Sequence, residues 1–475
     1  MASLSPGAAA LALAAALCTA ACADEDSSWS PTGGGGSAAG GGTGAAAGAG
    51  GSGAWDELCS PPRPEPPTIA LPTITNESSE YVIDLQHWGI DNNGTDPTGT
   101  KDKLNEAIAW AVDNGHGTVR LPAGTYLVGE KTSDIYSGGI ELQDDMVFAL
   151  DPGAIIQMFD NDTWNYCAVA VTGRQDVVIT GGEIRGDRQN HVFAGGGAHD
   201  EGHTICVQNE SERVLIDDVR ISQANGDGVL IVGQGGDGSS CKDITIRQSE
   251  IFDNRRQGVS IVGGVRVLIE ENEIHHIEGT SPQFGIDIES LSYESRDIVI
   301  RGNHFHHNAG GDLVNTDASN VYFQDNVCDQ TGLAEPQTDG PVVYRNRTDQ
   351  TISGNTITIT VGSSNGRWGI IGYPSETPRA HPNYIENNTF IGGGLHMAGG
   401  SGYHVTGNTF EEWMILGTDI ECLRLRDNAV TKETGETYKL RRVAGQASGN
   451  LVNGEPIVLP LADDAPFTNS PPHLW

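Results

Sequence analysis

Two acids, Asp287 and Glu289, alternate with Ile286 and Ile288 in the stretch QFGIDIES at 283–290. Alternate side chains of a strand share a face. If the isoleucines enter a core, both carboxyls leave it together, roughly 6.5–7 Å apart. That spacing suits hydrolysis of a glycosidic bond by inversion, with one carboxyl protonating the leaving oxygen and the other activating water. Crowded carboxylates raise one another's pKa, so one can stay protonated while its neighbour acts as base. Asp312 is a third acid, and His276 and His307 follow His275 and His306 at matching places, where imidazoles beside carboxylates can move protons. Arg255, Arg256 and Arg345 could hold an acidic group of a substrate. Phe284 and Trp368 offer rings for stacking on a sugar, and Asp227 stands in NGDG at 225–228. The competing reading is a solvated acidic surface that at most collects Ca²⁺; no cofactor is required for the carboxylate chemistry.

These residues become neighbours only if the chain stacks them, and a repeat supplies the stacking. The unit is apolar-x-apolar-x-x-Asn-x-apolar, as in Val267–Ile274, Ile298–Phe305 and Val321–Cys328, with further copies at Asn355, Asn388, Asn408 and Asn428. Equivalent apolar residues, from Ile179 through Ile216, Ile246, Ile269 and Ile300 to Leu425, recur every 20 to 37 residues. Constant strands with variable insertions describe rungs of a coil that differ in their loops. An asparagine at each bend can hydrogen-bond to the rungs on either side. A second strand, led by glycine, puts Cys206, Leu230, Ser260, Asp287 and Val314 in one outward column, and Gln208, Val232, Val262, Glu289 and Thr316 in another. Thr204, Gly228, Gly258, Gly285 and Asp312 form a third. The acids therefore concentrate in two adjacent rungs.

The spacing of Leu104, Ala107, Ile108, Ala111 and Val112 predicts a helix over about 102–113 that caps the first coil. The predicted fold class is all-β, a right-handed parallel β-helix solenoid with this N-terminal capping α-helix. It spans 73–435, with 436–475 as a C-terminal cap or tail.

The combination of WGIDNNGTDP, a helix, GTVRLPAGTYLV and the repeats resembles the pectate-lyase superfamily of right-handed parallel β-helices. That superfamily includes polysaccharide lyases, hydrolases, epimerases and phage tailspike depolymerases, so the resemblance implies a polysaccharide partner without fixing the reaction. NGDG is similar to the first acidic motif of polygalacturonases, but the next rung reads Arg255-Arg256-Gln257-Gly258 where those enzymes carry adjacent aspartates. The stretch from Phe284 partly resembles the signature of mannuronan epimerases. It shares Gly285 and Asp287, with Phe284 in place of a tyrosine and Glu289 in place of a histidine. Glycosidic cleavage by paired carboxylates leads. A lyase or uronan epimerase using Arg and His, and a non-catalytic glycan-binding surface protein, are the alternatives.

Residues 1–21 form a small-residue apolar run that reads as a secretory signal peptide. Thr19-Ala20-Ala21-Cys22 resembles a lipobox, with Cys22 as the lipidated residue; the product would sit at the outer surface or in the periplasm, and otherwise be secreted. Residues 22–72, rich in Gly, Ala and Ser, read as a flexible linker. A formal charge of −36 argues against nucleic acid and leaves membrane contact to the lipid alone. Six further cysteines are widely spaced, and their pairing is open, with burial as small apolar residues the leading expectation.

Overall fold

The computed structural model describes Cys59 and residues 63–461, apart from 133–135, 195–198, 234–238, 291–292, 334–336, 338–339, 345–348, 361–365, 374–381 and 460. The expected signal peptide, Cys22 and most of the linker lie outside the described residues.

Each turn of the coil visits three rows of parallel strands. A back row includes Gly264–Glu270, Arg296–Arg301 and Ser319–Gln324. A side row of three-residue strands includes Glu250–Phe252, Glu273–His275, His304–His306 and Val327–Asp329. A front row runs Glu201–Gln208, Asp227–Val232, Gln257–Val262, Phe284–Ile288 and Gly311–Asn315. Corresponding residues pair rung to rung, with Ile246, Ile269, Ile300 and Phe323 in one inward column of the back row. That column is sealed from water, and full burial of each such side chain contributes about 1.5–3 kcal/mol.

At the bend between back and side rows the asparagines stack. Asn272 donates its backbone N–H and its side-chain amide to Asn303 Oδ1, both at 3.0 Å, and Asn303 repeats the pattern on Asn326. The ladder continues through Asn355, Asn388, Asn408 and Asn428 to Asn450. Each side chain thus satisfies buried backbone groups that a bend would otherwise strand.

Helix α1 covers Leu85–Trp88 and α2 covers Pro97–Asp113. The second starts seven residues before Leu104, the first residue of its apolar stripe. Asp96 accepts from the Gly99 N–H at 3.1 Å as N-cap, and Pro97 occupies the first helical position, which its fixed φ favours. Leu104, Ala107, Ile108 and Ala111 are buried in the same core as Leu121, Tyr126 and Phe148 of the first rungs.

Both expected boundaries of the coil shift. Tyr438–Ser448 pairs in parallel with Ile415–Arg426, and Leu451–Val452 extends the side row, so the coil outruns residue 435. At the other end, 63–72 is bound along the back row and is no free tether. Arg63 meets Glu386 at 2.6 Å, Tyr322 donates to the Pro64 carbonyl at 2.7 Å, and Asp243 accepts from the Ala70 N–H at 3.1 Å. A proline-rich segment is pre-extended and offers few N–H groups to a helix or sheet, so it can lie flat on the rungs.

Four of the six cysteines are paired, Cys59 with Cys422 and Cys167 with Cys206, correcting the expectation of burial alone. Cys241 and Cys328 are free and buried.

Candidate active site

The front row carries a buried polar cluster on its outer side, centred on Arg256. The register sets Asp227 beside Gln257 and places Asp287 between Ser260 and Val314. Arg256 Nη1 donates to both oxygens of Asp227, at 3.2 and 3.0 Å. The Gln257 side chain donates to Asp287 Oδ2 at 2.6 Å while its own oxygen accepts from the Phe284 N–H at 2.7 Å. That amide is held at both ends and fixes the orientation of Asp287. The Asp227 N–H donates to His203 Nδ1 at 3.0 Å, and His203 Nε2 lies 3.5 Å from Glu201 Oε2. Tyr136 donates to the same Glu201 oxygen at 2.8 Å. Its ring lies 5.3 Å from that of His203.

Burial sets the electrostatics. It lowers the tendency of Arg256 to hold its proton, but Asp227, Glu201, Asp287 and Glu289 overcome this and keep the guanidinium firmly charged. Asp227 is raised by burial, against the pull of Arg256 and His203. Glu289 is also raised, first by burial and then by the charges of Asp227, Asp317 and Glu201, with Arg256 opposing. Glu201 goes the other way. Burial would raise it, yet His203, Arg256 and Tyr136 together bring it down to about 2. One cluster therefore holds a firmly ionised carboxylate and carboxyls pushed towards protonation, the separation that acid/base work needs.

The segment leading into Glu201 is anchored by a buried chain of hydrogen bonds. Tyr166 donates to Asp187 at 2.5 Å, Asp187 meets His191 at 2.8 Å, and His191 meets His199 at 3.0 Å. Arg255 donates to the carbonyls of His199 and Asn225, both at 3.3 Å, with its guanidinium over the Phe193 ring. It braces this wall, with the Asp200 carboxylate acting on its charge.

Of the residues singled out from sequence, Asp227, Arg256, Asp287 and Glu289 come together. Asp312 does not join them. Its side chain accepts from Asn308 at 3.1 Å and Gln337 at 2.9 Å, beside Cys328, and burial raises it to about 6. The reason lies in its column. A Cβ on Gly258 would meet Ile274 at 2.9 Å and one on Gly285 would meet Phe305 at 2.9 Å. These positions turn the corner and face the core, so strict alternation begins one residue later. His276 and His307 lie at the corner between side and front rows and stack on each other, with centroids 4.7 Å apart. Phe284 is 2% exposed, packed with Val314, Val343 and Ile371, and is not available for stacking on a ligand. Trp368 borders that cluster and lies 5.1 Å from the His396 ring. Arg345 and Cys22 lie outside the described residues.

Glu201, His203, Tyr136 and Gln257 were not anticipated. The first two precede Ile205 at alternate positions in DEGHTICV at 200–207, so simple alternation reads them as core-facing. The signal available was two titratable residues at positions that the repeat fills with apolar ones. Among the described residues, ligand atoms close enough for a metal occur in His275–His276–His306, Glu273–His304–His306 and Glu250–Glu273–His275. These lie on the side row, away from Arg256. An open cleft of about 630 Å³ lies elsewhere, lined by Arg120, Gly153, Gly182, Asp218 and Arg220 among others. Its arginines are already engaged, Arg120 by Glu80 and Asp151 and Arg220 by Glu250, so the chemistry is assigned to the front row.

Fold and strand register define a right-handed parallel β-helix of the pectate-lyase superfamily. The family described as right handed beta helix region matches residues 167–357 and 235–410, together just over half of the chain, and the chain belongs to it. It is 31% identical over 274 residues to the uncharacterized protein YclG of Bacillus subtilis, covering 53% of this chain and 46% of that one. It is 28% identical over 362 residues to the SPbeta prophage-derived uncharacterized protein YorA of the same organism, covering 71% of this chain and 60% of that one. The chain thus spans about half the length of the curated relatives it matches. Among solved structures, the A-module of the Azotobacter vinelandii mannuronan C-5 epimerase AlgE6 superposes with a TM-score of 0.50 at 16% identity, over 78% of this chain and 99% of that one. The catalytic unit of a GH87 α-1,3-glucanase from Streptomyces thermodiastaticus gives 0.51 at 12% identity, over 80% and 70%. These likenesses establish the coil and leave the reaction open.

Proposed function

We propose that this chain is an exported β-helix enzyme that hydrolyses glycosidic bonds of an extracellular or cell-wall polysaccharide. The observation that carries the reading is the contrast between two carboxyls at the end of one front-row strand, Asp287 within it and Glu289 just past it. Asp287 is clamped by Gln257, while Glu289, two residues on, is pushed towards its protonated form. In the proposed reaction Asp287 takes a proton from water, whose oxygen attacks the anomeric carbon. Glu289 gives its proton to the departing glycosidic oxygen, and the configuration inverts. Arg256 supplies the positive charge between the acids, so the reaction runs without a cofactor and without Ca²⁺. Asp227, Asp200, Glu201, Asp287 and Glu289 all act on that one guanidinium, a balance that favours a neutral glycan over a polyuronate.

A second reading has one specific support. Tyr136, His203 and Arg256 lie in the same cluster, and such a set could move a proton at a uronate C5 in a lyase or epimerase. A non-catalytic glycan-binding role is the third. The test is a screen of neutral and uronic polysaccharides read for reducing ends, unsaturated-uronate absorbance and C5 proton exchange. Reducing ends without absorbance, lost in Asp287→Asn and Glu289→Gln, are expected. Absorbance or exchange would move the assignment to lyase or epimerase, and binding without product would overturn catalysis.

Export by residues 1–21, lipidation at Cys22 and closure of the first coil by α2 belong to the same proposal. Two disulfide pairs support an oxidising compartment. Among the described residues no helix is long and apolar enough to cross a membrane. Labelling with radioactive palmitate, abolished by Cys22→Ala, tests the anchor.

A further inference from the structure

The titratable groups left unused by the front-row cluster gather where the side row turns towards it. His275 stacks on His306, with centroids 4.5 Å apart and planes within 7°, and His276 stacks on His307 at 4.7 Å and 1°. Within each rung the two imidazoles turn the same atom towards each other. The Nδ1···Nδ1 separation is 2.6 Å for His275–His276 and 2.8 Å for His306–His307. The far nitrogens are occupied: His275 Nε2 meets Glu250 at 3.3 Å, and His306 Nε2 meets Glu273 at 3.0 Å. A carboxylate on one ring nitrogen holds the proton there and presents a lone pair at the other, the arrangement that orients histidine ligands of metals. Underneath, His275 lies flat on Phe252, so the stack has a rigid apolar floor.

We propose that this corner is a binding site for one divalent transition cation of the zinc, nickel and copper group. Its ligands are the Nδ1 atoms of His275, His276 and His306. Facing ring nitrogens 2.6 and 2.8 Å apart repel as two lone pairs and are held together by a shared positive centre, a proton or a metal cation. A tetrahedral cation about 2.0–2.1 Å from each nitrogen would set them about 3.3–3.4 Å apart, a widening that rotation of the rings must supply. Imidazole ligands select this group of metals over Ca²⁺ and Mg²⁺, which prefer oxygen. Glu250 and Glu273 act as positioning residues. The cation joins two successive rungs, so its binding stabilises the folded coil. The site is independent of the proposed hydrolysis.

The test uses the full chain without a histidine tag, stripped with EDTA and titrated with Zn²⁺ against a chromophoric chelator. One equivalent bound, accompanied by a rise in Tm, is expected. In His275→Gln/His306→Gln, checked for fold by circular dichroism without metal, affinity should fall at least about 100-fold and the rise in Tm should vanish. Glu273→Gln changes an exposed carboxylate, keeps every imidazole, and should weaken Zn²⁺ by about 10-fold or more. Uptake well below one equivalent by the wild type would overturn the proposal. So would undiminished affinity in the double variant or, if that variant does not fold, in Glu273→Gln.

Discussion

Arg256 lies 3.0 Å from Asp227 with the carboxylate sealed from solvent. Such a pair is costly to split, because the partner left behind is a buried, uncompensated charge. Arg256→Ala is expected to destabilise the chain by about 3–5 kcal/mol. Asp227→Asn/Arg256→Met, which removes both charges, should cost clearly less than the sum of the single changes. Denaturant unfolding of the four proteins gives the coupling. Additive losses would mean that the two groups do not act as a pair.

Asp312 provides a pH signature separate from catalysis. Burial raises its carboxyl to about 6 from an ordinary 3.8, so the folded chain holds this proton more tightly than the unfolded chain. Its contribution is complete below about pH 4 and disappears as pH rises through about 6. Relative to Asp312→Asn, which cannot titrate, the wild type should lose about 2–2.5 kcal/mol between pH 4 and 7. Unfolding curves at both pH values check this, and parallel pH dependence of the two proteins would contradict it.

The same residue marks where sequence stops being a guide. The coil was legible because a period-two apolar pattern and a bend asparagine leave few alternatives. Asn450 in QASGNLV follows the rule too, which makes the last rung readable. Glu201 and His203 stand on a rung already read through Thr204, Cys206 and Gln208, but they share the parity of core-facing Ile205. Only the change of alternation at the corner turns them outward. Asp312 was not legible, since glycines at a corner carry no side chain to report which way the position faces. The bound course of 63–72 was equally hidden, because its contacts are made by backbone against distant acids. A disulfide between residues 363 apart in sequence leaves no local signal.

The asparagine ladder predicts a graded series. Asn303 Oδ1 accepts both the backbone and the side-chain N–H of Asn272, so Asn303→Ala leaves buried donors unsatisfied, at about 1–3 kcal/mol each. At the head of the ladder Ser249 Oγ accepts the Val219 N–H at 3.1 Å, showing that a hydroxyl can serve the bend. Asn303→Ser should therefore recover roughly half of the loss, as the backbone donor regains a partner and the amide does not. Equal midpoints for the Ala and Ser variants would assign the cost to lost packing instead.

Cys59 and residues 63–79 lie along the back row in the direction opposite to the advance of the coil. His404 Nε2 donates to the Cys59 carbonyl at 2.8 Å, near the late rungs. Further on, the Thr73 N–H meets Asp176 at 3.0 Å and the Thr75 N–H meets Asp145 at 2.6 Å, near the first rungs. Most of these contacts are single hydrogen bonds at the surface, so the covalent link from Cys59 to Cys422 is what keeps the far end in place. Closing so long a loop is expected to stabilise by about 2–5 kcal/mol. Cys59→Ser/Cys422→Ser should show a lower unfolding midpoint and new protease cleavage confined to 60–79, with the rungs still protected. Cleavage at the wild-type rate would mean that hydrogen bonds and the Arg63–Glu386 pair hold the segment unaided, and the link would then be dispensable for its course along the coil.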